Sequence, residues 1–311
     1  MSYYQQQNRH RLSIGQDGNA LTMLIAVNLV AFVLLAFIKI IYYFSSGDQG
    51  VAAFNKEILE WVALPASMDT FLTRPWTLLT HMFVHDTRNI WHILGNMLWL
   101  WAFGYILQDL TGNRKVVPLF LYGSLAGAAA YVLAYNFIGP LKEYLPVSYA
   151  YGASAGVMAI AIGTTTLAPN YRIFPMLNGG IPLWVITILY LIIDLATIPY
   201  NNPGGHIAHI AGAAMGFLFA RMLQQGKDWG AWMNRFFDWV DNLFNPDKPK
   251  KGKVVKSQLF YKAKVQPFTK TPLVTQQKVD EILEKIHQKG YASLTEDEKE
   301  VLKRASKEDS Q

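Results

Sequence analysis

The sequence predicts an all-α membrane protein, a six-helix transmembrane bundle followed by a small soluble helical hairpin. Three observations carry that prediction. Six apolar runs approaching membrane-spanning length lie between residues 20 and 225. Charged side chains are sparse there and crowd into the stretch from Gly226 onward, which is rich in Lys, Glu and Asp. Near the end, Val279, Ile282, Leu283 and Ile286 recur at the spacing of one helix face. The 311 residues would allow two soluble domains, but a soluble core does not need repeated runs of this length.

Residues 1–19 are polar and Gln-rich and lack the small-residue cleavage site of a signal peptide. The first run, about Leu21–Phe44, is therefore expected to stay as an anchor. The loop Ser45–Arg88 follows, and its Trp61, Phe71, Trp76 and Phe83 suit an element lying at headgroup level. The second run is about Ile90–Leu107 and the third about Val116–Phe137. The fourth, about Ala153–Leu167, is short, so it is expected to begin below the membrane surface with other helices around its irregular start. The fifth is about Pro182–Ile198 and the sixth about Ile207–Leu223.

Beyond the runs, Trp229–Phe244 intersperses aromatics with charges and reads as an amphipathic surface helix. Asn245–Thr275 is a Pro- and Lys-rich tether. In the predicted hairpin Gly290 stops one helix, and Thr295 with Glu298 forms a capping box for the next. The chain thus divides into an N-terminal segment (1–19), a membrane domain (20–225), an amphipathic segment with linker (226–275) and the hairpin (276–311).

Arg114 and Lys115, Arg172, and Arg221 with Lys227 all fall in loops on one side of an even number of spans. By the positive-inside rule that side, with both termini, is cytoplasmic. Arg9, Arg11 and the Lys248–Lys256 cluster contribute to the net charge of +6. They flank the membrane region, which points to a lipid bilayer and not to nucleic acid as the partner. The chain has no cysteine, which excludes a disulfide framework and a cysteine peptidase.

The chemistry centres on two residues. Ser154 lies in Gly152-Ala153-Ser154-Ala155-Gly156, and His209 in Ala208-His209-Ile210-Ala211-Gly212. An ionisable group inside a span is a functional-site hypothesis by default, and a serine with a histidine suggests a nucleophile and its base. Ala155, Ala159 and Gly163 form one small-residue stripe, and Gly212 and Gly216 another. Two such helices can touch, which would bring Ser154 to His209. The alternative is that the glycines only pack helices and Ser154 bonds its own backbone.

His92 and Asn96, one turn apart, can both donate hydrogen bonds to a developing oxyanion; the alternative is that Asn96 only glues helices together. No His-Glu-x-x-His occurs, and although Asp86 follows His85 in sequence, no carboxylate is expected beside the His81/His85 or His206/His209 pair in the fold, so no metal and no cofactor are expected. His81, His85, Asn96 and Tyr149 are candidates to line a water path. Asp194 is a candidate orienter of His209, but it falls at least three turns before it and across a loop, so it reads rather as a structural acid near the outer interface with no identified partner.

The chain resembles the rhomboid family of intramembrane serine proteases. The matching residues are Trp76–His85 (WTLLTHMFVH), His92-x-x-x-Asn96, Gly152-x-Ser154-x-Gly156 and Ala208-His209-x-x-Gly212-x-x-x-Gly216, in that order over about Leu21–Leu223. The resemblance implies a six-helix bundle that cleaves transmembrane protein substrates with a Ser–His dyad. Ser154 would be the nucleophile, His209 the base, and His92 and Asn96 oxyanion donors beside the Ser154 N–H. The C-terminal hairpin resembles a module found on rhomboids of one bacterial group, which implies a bacterial plasma membrane. Two positions depart from the family pattern: Pro75-Trp76-Thr77, with Arg74 earlier, replaces a Trp-Arg pair, and Gln108-Asp109 stands where many members have Glu. Rival readings are a catalytically inactive relative that binds membrane clients and a small-solute transporter, the latter lacking the internal repeat of its class. Natural substrate, cleavage-site preference and oligomeric state stay open.

Overall fold

The computed structural model describes residues 19–174, 176, 179–198, 202–244 and 276–308. The N-terminal segment 1–18 and the tether Asn245–Thr275 lie outside the described residues. The chain divides into two compact units, Met1–Asn245 and Pro246–Gln311.

In the first unit, helix α1 runs Ala20–Phe54. Asn19 caps it, its Oδ1 accepting from the N–H groups of Leu21 and Thr22. The helix kinks at Ser46 and Gly47, where the glycine takes φ 56°, and a π-turn over Asn55–Leu59 carries it on to Val62. The apolar run Leu21–Phe44 covers only the part before the kink. Helix α2 is Ile90–Thr111, α3 Val116–Phe137, α4 Ser154–Leu167, α5 Leu183–Thr197 and α6 Pro203–Gln224. Among the described residues four segments are long and apolar enough to cross a membrane: Ala20–Val62, Ile90–Thr111, Asn113–Phe137 and Pro203–Gln224. Helices α4 and α5 are apolar but shorter.

Helix α4 is the centre of the bundle. Val157, Met158, Ala159, Ile160 and Ala161 are fully enclosed, with α2, α3 and α6 around them. The small residues allow this. A methyl group on Gly212 would overlap the carbonyl oxygen of Ala155, and one on Gly216 that of Ala159. From α3, Gly123 approaches Ala159, and Gly127 approaches Ala155 and Ala208. Outward-facing side chains on the flanks are apolar: Val33, Leu34 and Phe37 on α1, and Leu189, Ile192 and Ile193 on α5, are each more than half exposed. Apolar surface of this extent suits lipid and not water.

Two-residue strands, which the all-helical expectation leaves out, fix the loops. Strand β1 (Leu64–Pro65) pairs antiparallel with β2 (Tyr149–Ala150), Leu64 opposite Ala150 and Pro65 opposite Tyr149. Strand β3 (Arg172–Ile173) pairs with β4 (Ile181–Pro182). The first pairing ties the approach to α4 to the loop after α1, and the Gly152 N–H donates to the His81 carbonyl at 3.0 Å in the same place. Within that loop Trp61 and Trp76 stack with centroids 6.1 Å apart, and the Arg74 guanidinium lies 4.2 Å from the Trp61 ring centroid. At the opposite end, the Gln108 amide donates to Asn19 Oδ1 and the Ala20 N–H to Asn113 Oδ1, fastening α1 to α2. Helix α7 (Ala231–Phe244) docks there through Arg114–Asp238 at 3.2 Å and a Trp232-to-Tyr122 hydrogen bond of 2.7 Å. The preceding Asp228 pairs with Lys115.

The second unit contains α8 (Gln276–Lys289) and α9 (Glu296–Glu308), which share a small core of Ile282, Leu294 and Val301. Gly290 takes φ 76° at the end of α8. Glu298 accepts from the Thr295 N–H and returns its own N–H to the Thr295 hydroxyl. The Lys285 ammonium, followed by the Thr295 N–H, holds the Glu298 carboxyl down to about 2.

The backbone contact between α4 and α6 makes a sharp contrast between glycines. Gly212→Ala forces two main chains apart and is expected to cost roughly 1–3 kcal/mol, seen as a lower Tm in detergent. Gly95→Ala meets nothing within 4 Å and is expected to be neutral or mildly stabilising. Equal Tm values for the two variants would mean that the α4–α6 contact is not tight.

Candidate active site

Four helices (α2, α3, α4 and α6) and the loops His81–Asn89 and Tyr149–Gly152 converge on a cavity of about 500 Å³ whose lining includes His92, Ser154, His206 and His209. Ser154 is the first residue of α4. No side chain caps that helix, so the N–H groups of its first turn, which have no intrahelical acceptor, stay directed toward the cavity end. The bend into the helix depends on Gly152, whose φ of 135° disfavours any other residue. A Cβ there would stand 3.1 Å from the His92 ring and 3.5 Å from Ser154 Oγ. Gly152 therefore keeps open the space that His92 and Ser154 both border.

His209 lies on α6, whose start is set by Asn202. That residue takes the left-handed conformation (φ 44°) and its side chain accepts from the Gly205 N–H at 3.1 Å. The cap begins α6 at Pro203, one turn before the expected Ile207, and so brings His206 into the helix three residues from His209, on the same face. Their rings meet edge to face at 5.7 Å. His209 Nε2 lies 2.7 Å from Ser154 Oγ. The structure thus brings together the serine and histidine that the two small-residue stripes suggest.

His92 and Asn96 occupy one face of α2. His92 lines the cavity. Asn96, one turn further on, is buried outside the lining, and its Nδ2 has no hydrogen-bond acceptor among the described residues. A buried amide donor without an acceptor is uncommon and costly. Of the four residues expected to line a water path, His81 and Tyr149 do border the cavity, while His85 and Asn96 do not. The reason for His85 is packing: it is fully enclosed behind His92, the two ring centroids 5.3 Å apart. Burial pushes both His81 and His85 down to about 4. Both are neutral at physiological pH and place no positive charge beside His92. His81 Nδ1–H donates to the Thr77 carbonyl at 2.9 Å.

Asp194 corrects two expectations. It is not remote from the histidines, and the His206/His209 pair does have a carboxylate beside it. Asp194 Oδ1 lies 2.7 Å from His209 Nδ1 and 2.8 Å from His206 Nδ1. The sequence does carry the signal, since Asp194 is the one carboxylate inside the six apolar runs. What linear spacing does not show is that α5 and α6, antiparallel, return it to the level of His209. Asp194, His206 and His209 also offer ligand atoms within 4.8 Å of one another, which makes them the group that could hold a metal ion. The two carboxylate-to-imidazole separations are hydrogen-bond lengths, however. Donors around a tetrahedral zinc at about 2.0–2.1 Å stand about 3.3 Å apart.

Comparison with known proteins gives two family matches. Residues 72–226 match a family model described as Rhomboid domain. Residues 272–308 match one described as a family of unknown function, DUF6576. RHOMBOID-like protein 12, mitochondrial, of Arabidopsis thaliana is 25% identical over 171 residues, covering 52% of this chain and 50% of that protein. The chain thus spans about half the length of this curated relative.

The geometry around Gly152 yields a sharp test. Gly152→Ala is expected to remove nearly all turnover of any reaction that uses Ser154, because the methyl intrudes between Ser154 and His92 and the backbone is strained. Gly139→Ala, with nothing within 4 Å of the new Cβ, serves as the control and is expected to match the wild type. A Gly152→Ala protein that turns over normally would remove the space beside Ser154 from the account.

Proposed function

The chain belongs to the rhomboid family, and on that footing we propose that it is an intramembrane serine endopeptidase that cuts transmembrane protein substrates. The observation that carries the reading is the 2.7 Å contact between Ser154 Oγ and His209 Nε2 in a cavity between helices. A serine hydroxyl is a weak nucleophile until a neighbouring base takes its proton. An inactive client-binding relative or a transporter does not need that contact.

In the proposed reaction His209 Nε2 takes the hydroxyl proton as Ser154 Oγ bonds to the carbonyl carbon of the scissile peptide. The carbonyl electrons move onto oxygen. The resulting oxyanion is held by the Ser154 N–H, the His92 ring and the Asn96 Nδ2 group, which is already buried and without an acceptor among the described residues. Collapse breaks the C–N bond, and the His209 imidazolium returns its proton to the leaving amine. A water molecule then attacks the acyl-enzyme with His209 again as base, releasing the carboxylate product and restoring Ser154.

The protein is integral to the membrane, and its apolar helices support six spans, with α4 and α5 counted beside the four longer segments. The Lys and Arg bias of the loops supports both termini on the cytoplasmic side. A bacterial plasma membrane rests on the family resemblance of the tail, and a soluble C-terminal hairpin on its charged faces and short apolar stripe.

Two measurements test the reading. Ser154→Ala is expected to abolish cleavage of a labelled transmembrane substrate in detergent while leaving Tm almost unchanged, and a fluorophosphonate probe should label the wild type alone. His209→Ala should lower kcat by several orders of magnitude, whereas His206→Ala, which leaves the Asp194–His209 bond in place, should cost less than about tenfold in kcat. Cleavage by Ser154→Ala at the wild-type rate would sink the serine mechanism, and reversed histidine effects would assign the base to His206. Separately, Asn96→Ala is expected to reduce kcat roughly 10- to 1,000-fold with KM unchanged, because the oxyanion exists only in the transition state. A raised KM with normal kcat would return Asn96 to helix packing.

A further inference from the structure

We propose that Asp194 is a positioning residue for His209, so that the reactive unit is a hydrogen-bonded chain, Asp194–His209–Ser154, drawn from three helices. The inference rests on the protease reading above and adds to it the acid that a Ser–His dyad lacks.

The argument begins with tautomers. A neutral imidazole carries one N–H. To take a proton from Ser154, His209 must present a lone pair at Nε2, so the N–H must sit on Nδ1. In the other tautomer Nε2–H would point at Ser154 Oγ and could accept nothing. Asp194 Oδ1 lies 2.7 Å from Nδ1. An ionised carboxylate oxygen only accepts, so this contact selects the productive tautomer and fixes the ring plane. When His209 becomes an imidazolium, the carboxylate is already beside the new charge, in surroundings that screen it far less than water does.

Burial makes the arrangement costly unless it is paired. Asp194 is 7% exposed, and an ionised carboxylate in such a place needs hydrogen-bond donors. His206 supplies one, its Nδ1 2.8 Å from the same oxygen. His206 therefore anchors the carboxylate from the far side of His209 without touching Ser154. Helix α5, which carries Asp194, is itself pinned. Thr187 Oγ1 meets Thr165 Oγ1 of α4 at 2.6 Å, and Tyr190 stacks on Trp99 of α2 with centroids 4.7 Å apart and planes 5° from parallel. These contacts lie one to two turns before Asp194 on α5.

The test uses the full chain in detergent micelles or proteoliposomes. Asp194→Asn keeps the size of the side chain, but its amide can donate to Nδ1 and so favours the wrong tautomer. Its kcat is expected to fall by roughly 10²- to 10⁴-fold with KM within about threefold, and fluorophosphonate labelling of Ser154 should slow in parallel. Asp194→Glu keeps an acceptor and should recover at least about tenfold over Asp194→Asn. An independent readout is the tautomer itself, from NMR of ¹⁵N-histidine-labelled protein. His209 should carry its proton on Nδ1 in the wild type and lose that preference in Asp194→Asn. If the wild type cleaves and labels while Asp194→Asn matches it within about threefold, Asp194 is structural and the inference is overturned with the protease reading intact. If the wild type neither cleaves nor labels, the protease reading fails, and the NMR arm still decides the role of Asp194. Should Asp194→Asn fail to fold, the wild-type spectrum suffices, since a proton on Nε2 of His209 overturns the inference.

Discussion

The structure depends on one steric constraint, the main-chain approach of α4 to α6. Helix α4 has 14 residues and lies enclosed among α2, α3 and α6, so its first turn must find its partners in protein. That is possible only because the neighbouring helices come close enough to enclose it, and they come close because Gly212, Gly216, Gly123 and Gly127 have no side chain in the way. The same approach sets the Ser154–His209 distance. Packing and chemistry therefore share one set of contacts, and a change that loosens the first also lengthens the second.

A second constraint is electrostatic. Four histidines and one aspartate lie in or beside one half-open cavity: His81, His92, His206, His209 and Asp194. An ensemble of this kind is stable only if each polar atom has a designated partner. One carboxylate oxygen lies within hydrogen-bond distance of two imidazole nitrogens, His81 gives its N–H to a backbone carbonyl, and His209 faces the serine. The β1–β2 pairing and the Gly152–His81 bond hold the loop that closes this volume.

Much of the arrangement was legible in the amino-acid order, and the reasons why are physical. Small residues every fourth position mark helix faces that touch, so the stripes on α4 and α6 point to each other before any coordinates are known. Val116–Phe137 matches its helix at both ends because charged and turn residues bound it. Other parts were not legible. The polar Ser45–Asp48 stretch looks like the end of a span, yet α1 bends there and continues to Phe54. The cap by Asn202 moves the start of α6 back to Pro203, because an asparagine that tolerates the left-handed conformation can start a helix where periodicity alone does not. Asp194 was visible as an anomaly and as a candidate orienter, but its distance along the chain argued for a structural role instead. Fifteen residues and a turn separate it from His209, and only the antiparallel return of the chain makes them neighbours.

Helix lengths have one more consequence, for the lipid around the protein. From Ala20 to its kink at Ser46, α1 rises roughly 40 Å at about 1.5 Å per residue. The 15 residues of α5 rise only about 22 Å. Both present apolar side chains outward. A bilayer fits its hydrocarbon thickness to the surface it wets, and mismatch is relieved by local stretching or thinning. A bilayer that wets both helices would have to be deeper along α1 than along α5 unless α1 tilts, so the helix lengths set an uneven demand on the surrounding lipid.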